Sequence, residues 1–176
     1  MTWTKAQWRW ALFGLLALAA AWFAYDITSA PGVPTLDEYL AFAPDRTLAP
    51  PGFTIDGTPA TCAKVRIVLN PVLNDVAAAE PGFVILNPKY FDPLPGIVRN
   101  YVFGHECGHQ LHGASEEMAD CYAVMRGEAQ GWSNANGVQA ICDFWTAHAS
   151  DNKHLPGPAR CKLMQRCFAS ALAAKG

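Results

Sequence analysis

The sequence predicts an α+β domain: a short β-sheet packed on a helical hairpin, with additional C-terminal helices and an N-terminal hydrophobic helix in front. Three observations carry that expectation. Short apolar runs bounded by Pro, Gly and Asn lie between residues 60 and 90. Apolar residues recur at helical spacing from Ile97 onward. A Gly-Ala-Ser interruption at 113–115 then splits the helical part soon after it begins.

The elements come in chain order. Lys5 and Arg9 precede an apolar run from Trp10 to Tyr25, and Asp26 closes it. That charge order puts the N-terminus in the cytoplasm and the rest of the chain outside. The run is short for a membrane span, which takes roughly 20 apolar residues, and it suits the apolar core of a secretory signal. Thr28-Ser29-Ala30 supplies small residues for cleavage, while Trp8, Trp10, Trp22 and Tyr25 resemble interfacial anchors. Residues 1–30 are therefore read as a signal peptide or a single membrane anchor, and 31–176 as one exported domain. That domain is either periplasmic or held at the inner membrane, outside the cytoplasm. A chain of 176 residues can bury a real core. Its net charge of −2, with no basic run, argues against a nucleic-acid partner.

Cys62, Cys107, Cys121, Cys142, Cys161 and Cys167 form an even set behind an export signal, which points to disulfides. Cys161 and Cys167 fall on different faces of one helix, so a bridge from either to Cys142 or Cys62 is expected rather than one between them. Cys107 and Cys121 are expected to turn inward. None has the paired spacing of a cysteine zinc site.

Within the domain, Leu36 to Ala43 is a short helical candidate, and Val65–Leu69 and Phe83–Leu86 are strand candidates. "YFDPLPG" is a turn-rich link, because proline removes donors and disfavours helix before it. A helix then starts at Ile97 and stops at Gly113, expected in a left-handed conformation; Ser115 caps a second helix that runs to about Gly127. Helices from Gly137 to His148 and from Pro158 to Ala173 complete the chain.

The first of these helices carries "HECGH". His105 and His109 lie one turn apart, so both imidazoles point the same way and can share one tetrahedral zinc. Glu106 is offset by about 100°, off the metal but beside a water on it, where it can act as general base. A third ligand is still required, with His112, Glu116, Glu117 and Asp120 as candidates. Glu116 and Asp120 share a helical face that the Gly113 turn folds back onto the histidines. One carboxylate can bind the metal while the other holds an imidazole by its second nitrogen. Glu117 points elsewhere, as a solvated first-turn charge, and His112 lies at the helix end in contact with water. His148 sits at a helix C-terminus, which suits an imidazolium.

"HECGH" together with the later "EEMADCYA" resembles the gluzincin type of zinc metallopeptidase. It is most similar to the HtpX-like and CAAX-prenyl-protease-like group and to bacterial neutral zinc metallopeptidases. The resemblance covers about a quarter of the chain, from Phe83 to Met125. It implies a minimal zincin-like domain in which His105, His109 and Glu116 hold one Zn2+. Glu106 would be the catalytic base and Asp120 would support a liganding histidine, with Ala119 small enough for close helix approach. It further implies that Phe83, Val84, Ile85 and Leu86 form a substrate-binding edge strand. His154 and Arg160 resemble a His and Arg that related peptidases carry before a late helix, with a cleft-closing or oxyanion-donating role; anchoring the loop is the plainer alternative. The interval between the two motifs is shorter than in most relatives, and a multi-span membrane core is absent from the sequence. The expected function is an exported zinc metalloendopeptidase acting on a peptide or protein. The alternatives are a non-catalytic zinc-stabilised module of the envelope that binds a peptide or protein, and a zinc amidase.

Overall fold

The computed structural model describes residues 32–148 and 153–175. Thr35–Gly176 forms one compact unit. The reading of residues 1–30 as signal or anchor lies outside the described residues. Among those described, no helix is long and apolar enough to cross a membrane.

The elements are α1 (Leu36–Ala41), β1 (Thr47–Leu48), β2 (Thr54–Ile55), β3 (Thr58–Pro59), β4 (Arg66–Leu69), β5 (Ala77–Glu80) and β6 (Phe83–Leu86). After them come α2 (Pro88–Phe91), α3 (Gly96–His112), α4 (Glu116–Gln130), α5 (Ala135–Ala147) and α6 (Gly157–Ala173). The architecture is α+β, as the sequence predicts. β2 and β3 form a small hairpin, and the main sheet has the order β1-β4-β6-β5.

β6 is not an edge strand. It runs parallel to β4 on one side and antiparallel to β5 on the other, with all four residues buried. Val84 and Leu86 face the main core, while Phe83 and Ile85 face a smaller cluster under α1 with Val68, Leu36 and Tyr39. Burial on both faces explains why "FVIL" is continuously apolar rather than alternating. The edge beside the site is β5, whose alanine-rich sequence has little strand propensity. It forms because the Pro81-Gly82 turn folds it onto β6, with Gly82 at φ 90°.

The helices keep their expected places with shifted ends. A one-turn helix, α2, appears in the turn-rich link because Asn87 caps Lys89 N–H and Pro88 sits at the first helical position. Gly113 stops α3 at φ 63° and ψ −142°, a glycine-favouring positive φ but not the left-handed helical geometry expected. Ser115 caps α4 through Met118 N–H, and α4 continues past Gly127 to a left-handed Gly131.

Three disulfides staple the helices: Cys62–Cys107, Cys121–Cys167 and Cys142–Cys161. The Cys142 partner of Cys161 is as expected. Cys167 instead reaches Cys121 on α4, and Cys62 reaches Cys107 on α3. These bridges suit an oxidising compartment outside the cytoplasm.

Candidate metal centre and cleft

α3 and α4 meet through their smallest residues. A Cβ added at Gly104 would lie 3.2 Å from Ala123 Cα, and one at Gly108 2.7 Å from Ala119 Cα. Backbone contact along this seam turns His105 and His109 of α3 towards Glu116 and Asp120 of α4.

The geometry separates the two carboxylates. Glu116 Oε2 lies 3.1 Å from His105 Nε2 and 3.4 Å from His109 Nε2, and the two Nε2 atoms lie 3.0 Å apart. These donor atoms all fall within 4.8 Å of one another and can hold a metal ion. Two imidazole nitrogens and a carboxylate oxygen form a donor set that suits zinc, with bonds of about 2.0–2.2 Å. Asp120 stands behind, accepting a hydrogen bond from His105 Nδ1 at 2.8 Å. His109 is fixed the same way, its Nδ1 2.7 Å from the carbonyl of Gly113. Both Nε2 atoms are thereby aimed at Glu116.

Asp120 is itself held on every side. Arg160 Nε donates to Asp120 Oδ2 at 2.8 Å and Nη2 to Oδ1 at 2.7 Å. The Tyr101 hydroxyl donates to Oδ1 at 2.5 Å. Arg160 is 5% exposed and Asp120 1%, so this is a buried pair, with Arg160 in the wall of a cavity that His105 and Glu106 also line. Arg160, expected to close the cleft, to donate to an oxyanion or to anchor a loop, is placed by α6, which packs on α4 and α5, with its guanidinium on Asp120 and Tyr101. Tyr101, otherwise packed in the core on α3, joins the network through its hydroxyl.

Charge is set by these contacts. Burial raises Asp120, but hydrogen bonds from His105 and Arg160 outweigh it and hold the carboxyl well below the usual range. Burial opposes charge on His105, yet hydrogen bonds to Asp120 and Glu116 prevail and raise it to about 9. The His105 hydrogen bond brings Glu116 down to about 2 against some burial. Glu106 goes the other way: burial raises it, while His105 and His109 pull it back.

Glu106 stands outside the donor triad but lines the same cleft. This cleft, about 910 Å3, lies between β5 on one side and His105, Glu106, His109 and Glu116 on the other. Gln110, missed in the sequence, locks the strand to the helix. Its amide nitrogen donates to the carbonyls of Glu80 and Phe83, and its oxygen accepts from Gly82 N–H. His154 does reach the site, with Nε2 2.9 Å from Glu116 Oε2. His112 is exposed near Tyr122, and Glu117 is exposed. His148 caps α5, its Nδ1 2.6 Å from the Phe144 carbonyl.

No protein-family model, curated protein or solved structure matches this chain.

Proposed function

We propose that this chain is a zinc metallopeptidase of the gluzincin type, with a minimal zincin-like fold, acting outside the cytoplasm. The observation that carries the reading is the position of Glu106: a half-buried carboxyl lining the cleft beside three convergent metal donors, yet not one of them. His105, His109 and Glu116 would hold the ion. Bound zinc supplies Lewis acidity and lowers the pKa of a coordinated water.

The chain's own residues supply the rest. Glu106, raised above the ordinary carboxylate range by burial, is suited to take a proton from water and return it to a leaving amine. Asp120 keeps His105 in the tautomer that presents Nε2, and Gly113 does so for His109. His154, beside Glu116, can donate to oxygen charge developing in the cleft. β5 rather than β6 offers a strand edge along the cleft, so an extended peptide can add to Ala77–Glu80 by β-augmentation.

The test measures zinc stoichiometry and hydrolysis of a broad peptide library, in wild type and in Glu106→Gln. The expected result is one zinc in both proteins and a rate about 10²–10⁴-fold lower in the variant. Stoichiometric zinc with no hydrolysis by wild type would favour a zinc-stabilised binding module instead.

A further inference from the structure

The exposed side of α6 carries charge that nothing in the fold answers. None of its 17 residues is acidic, and Lys162 and Arg166 stand four apart on its exposed face. Neither side chain has a hydrogen-bond or ion-pair partner among the described residues. Asp143 on α5 is engaged elsewhere, accepting from Gln139 Nε2 at 2.8 Å. Two like charges at this spacing repel on a helix, and a bound anion relieves the repulsion.

The two cations lie in a groove of about 500 Å3, whose lining Leu155, Ala159, Gln165 and Ala169 complete. Ala159, Lys162, Arg166 and Ala169 follow one another at helical spacing, so the groove runs along the helix for about 15 Å. Four or five residues of extended chain span that length at about 3.3 Å each. At one end the groove meets the metal site. Leu155 also lines a cavity of about 180 Å3 whose walls include His105, Glu106 and His154. Charge changes sign between the two regions. Asp75 and Glu80 line the cleft along β5, whereas Lys153 lines it where the chain leads into α6.

We infer that this groove is an exosite, which binds an acidic segment of the substrate several residues away from the bond that is cut. The inference rests on the peptidase reading for its word "cut", but the groove's preference can be measured without catalysis. Carboxylates of the segment pair with Lys162 and Arg166, and apolar residues between them lie on Leu155, Ala159 and Ala169. An acidic stretch centred on the cut bond would instead meet Asp75, Glu80 and Glu106, and like-charge contact disfavours it. The pairs at α6 are exposed, so their effect is modest and falls with salt.

The full chain is titrated with a fluorescein-labelled Ala-Glu-Leu-Glu-Glu-Leu-Ala peptide and with its glutamine counterpart, following fluorescence anisotropy. The glutamate peptide is expected to bind about three- to tenfold tighter at low salt, the range of two exposed ion pairs, and to lose that advantage at high salt. Lys162→Glu with Arg166→Glu should erase the preference, and so should the milder Lys162→Gln with Arg166→Gln. Lys64→Glu with Arg66→Glu, the same change in net charge at exposed residues beside and on β4, should keep it. In the hydrolysis assay, cleaved peptides should be enriched in Asp and Glu at a fixed remove on one side of the cut, and the enrichment should vanish in the α6 variants. Equal affinity for the two peptides in wild type, or a preference lost equally in the β4 variant, overturns the inference. So does peptide cleavage with no such enrichment. Binding to phosphatidylglycerol vesicles that the α6 variants lose, with no preference for the glutamate peptide, also overturns it and makes this face a lipid surface. Glutamate-selective binding at α6 without any peptide cleavage leaves the groove's chemistry standing and removes the peptidase reading instead.

Discussion

Gly108 and Ala119 bring the two site helices into backbone contact: a Cβ on Gly108 would stand 2.7 Å from Ala119 Cα. The obstructing atom is backbone and cannot swing aside. Gly108→Ala is therefore expected to push α3 from α4 and separate His105 and His109 from Glu116. Overpacking of this kind costs about 1–3 kcal/mol, against a small gain in helix propensity. Denaturant unfolding and zinc affinity should both fall. An unchanged midpoint with unchanged affinity would show that the seam does not set the site.

The pair of Asp120 and Arg160 is buried and doubly hydrogen-bonded. Removing one partner leaves an uncompensated charge, so Arg160→Met is expected to destabilise by about 3–5 kcal/mol. Asp120→Asn loses the anionic partner of His105 and should lower zinc affinity about 10–100-fold. Competitive chelator titrations check this. If Glu116→Ala keeps zinc while Asp120→Asn loses it entirely, the ligand assignment is reversed.

The metal-free protein should be most stable between about pH 4 and 6.5. His105 is raised to about 9 in the folded state, above its ordinary value of about 6.5. Its contribution is therefore complete below about pH 6.5 and is lost as pH rises towards 9. Asp120 and Glu116 are lowered, so theirs is present above about pH 4 and is lost as pH falls towards 2 and below. Zinc needs a neutral imidazole, so its binding should release a proton across the alkaline window and remove the alkaline loss. Urea midpoints across pH, in chelator and in zinc, test both signs; a flat profile in chelator from pH 6.5 to 9 would contradict the His105 contacts.

Each disulfide has one half-cystine next to a residue of the site network: Cys107 adjoins Glu106, Cys121 adjoins Asp120 and Cys161 adjoins Arg160. Two of the bridges attach α6, the helix that carries Arg160. Reduction by a dithiol is expected to lower thermal stability, typically about 2–5 kcal/mol per bridge, and zinc affinity with it. Reoxidation should restore both. Full zinc affinity in the reduced protein would mean that the packed helices hold the network unaided.

Local chemistry determined the features legible in the sequence alone. Helical periodicity places His105 above His109 and sets Glu106 to one side. Turn chemistry at Gly113 and Ser115 announces a hairpin within a few residues. One disulfide of the three, Cys142–Cys161, was also within reach because it joins neighbouring helices.

Tertiary structure decided the rest. Glu116 and Asp120 share a helical face, and only the rotation imposed at Gly104 and Gly108 brings one to the donors and puts the other behind His105. The burial of Arg160 depends on a chain path that returns 40 residues after Asp120. Strand order could not be read from "FVIL", because a continuous apolar run says that both faces are buried but not which neighbours pair. Ala77–Glu80 carries almost no strand signal of its own; its place at the cleft comes from β6, the Pro81-Gly82 turn and Gln110. Where backbone geometry over a few residues sets the outcome, sequence suffices. Where the outcome depends on which distant surface is covered, packing has to choose.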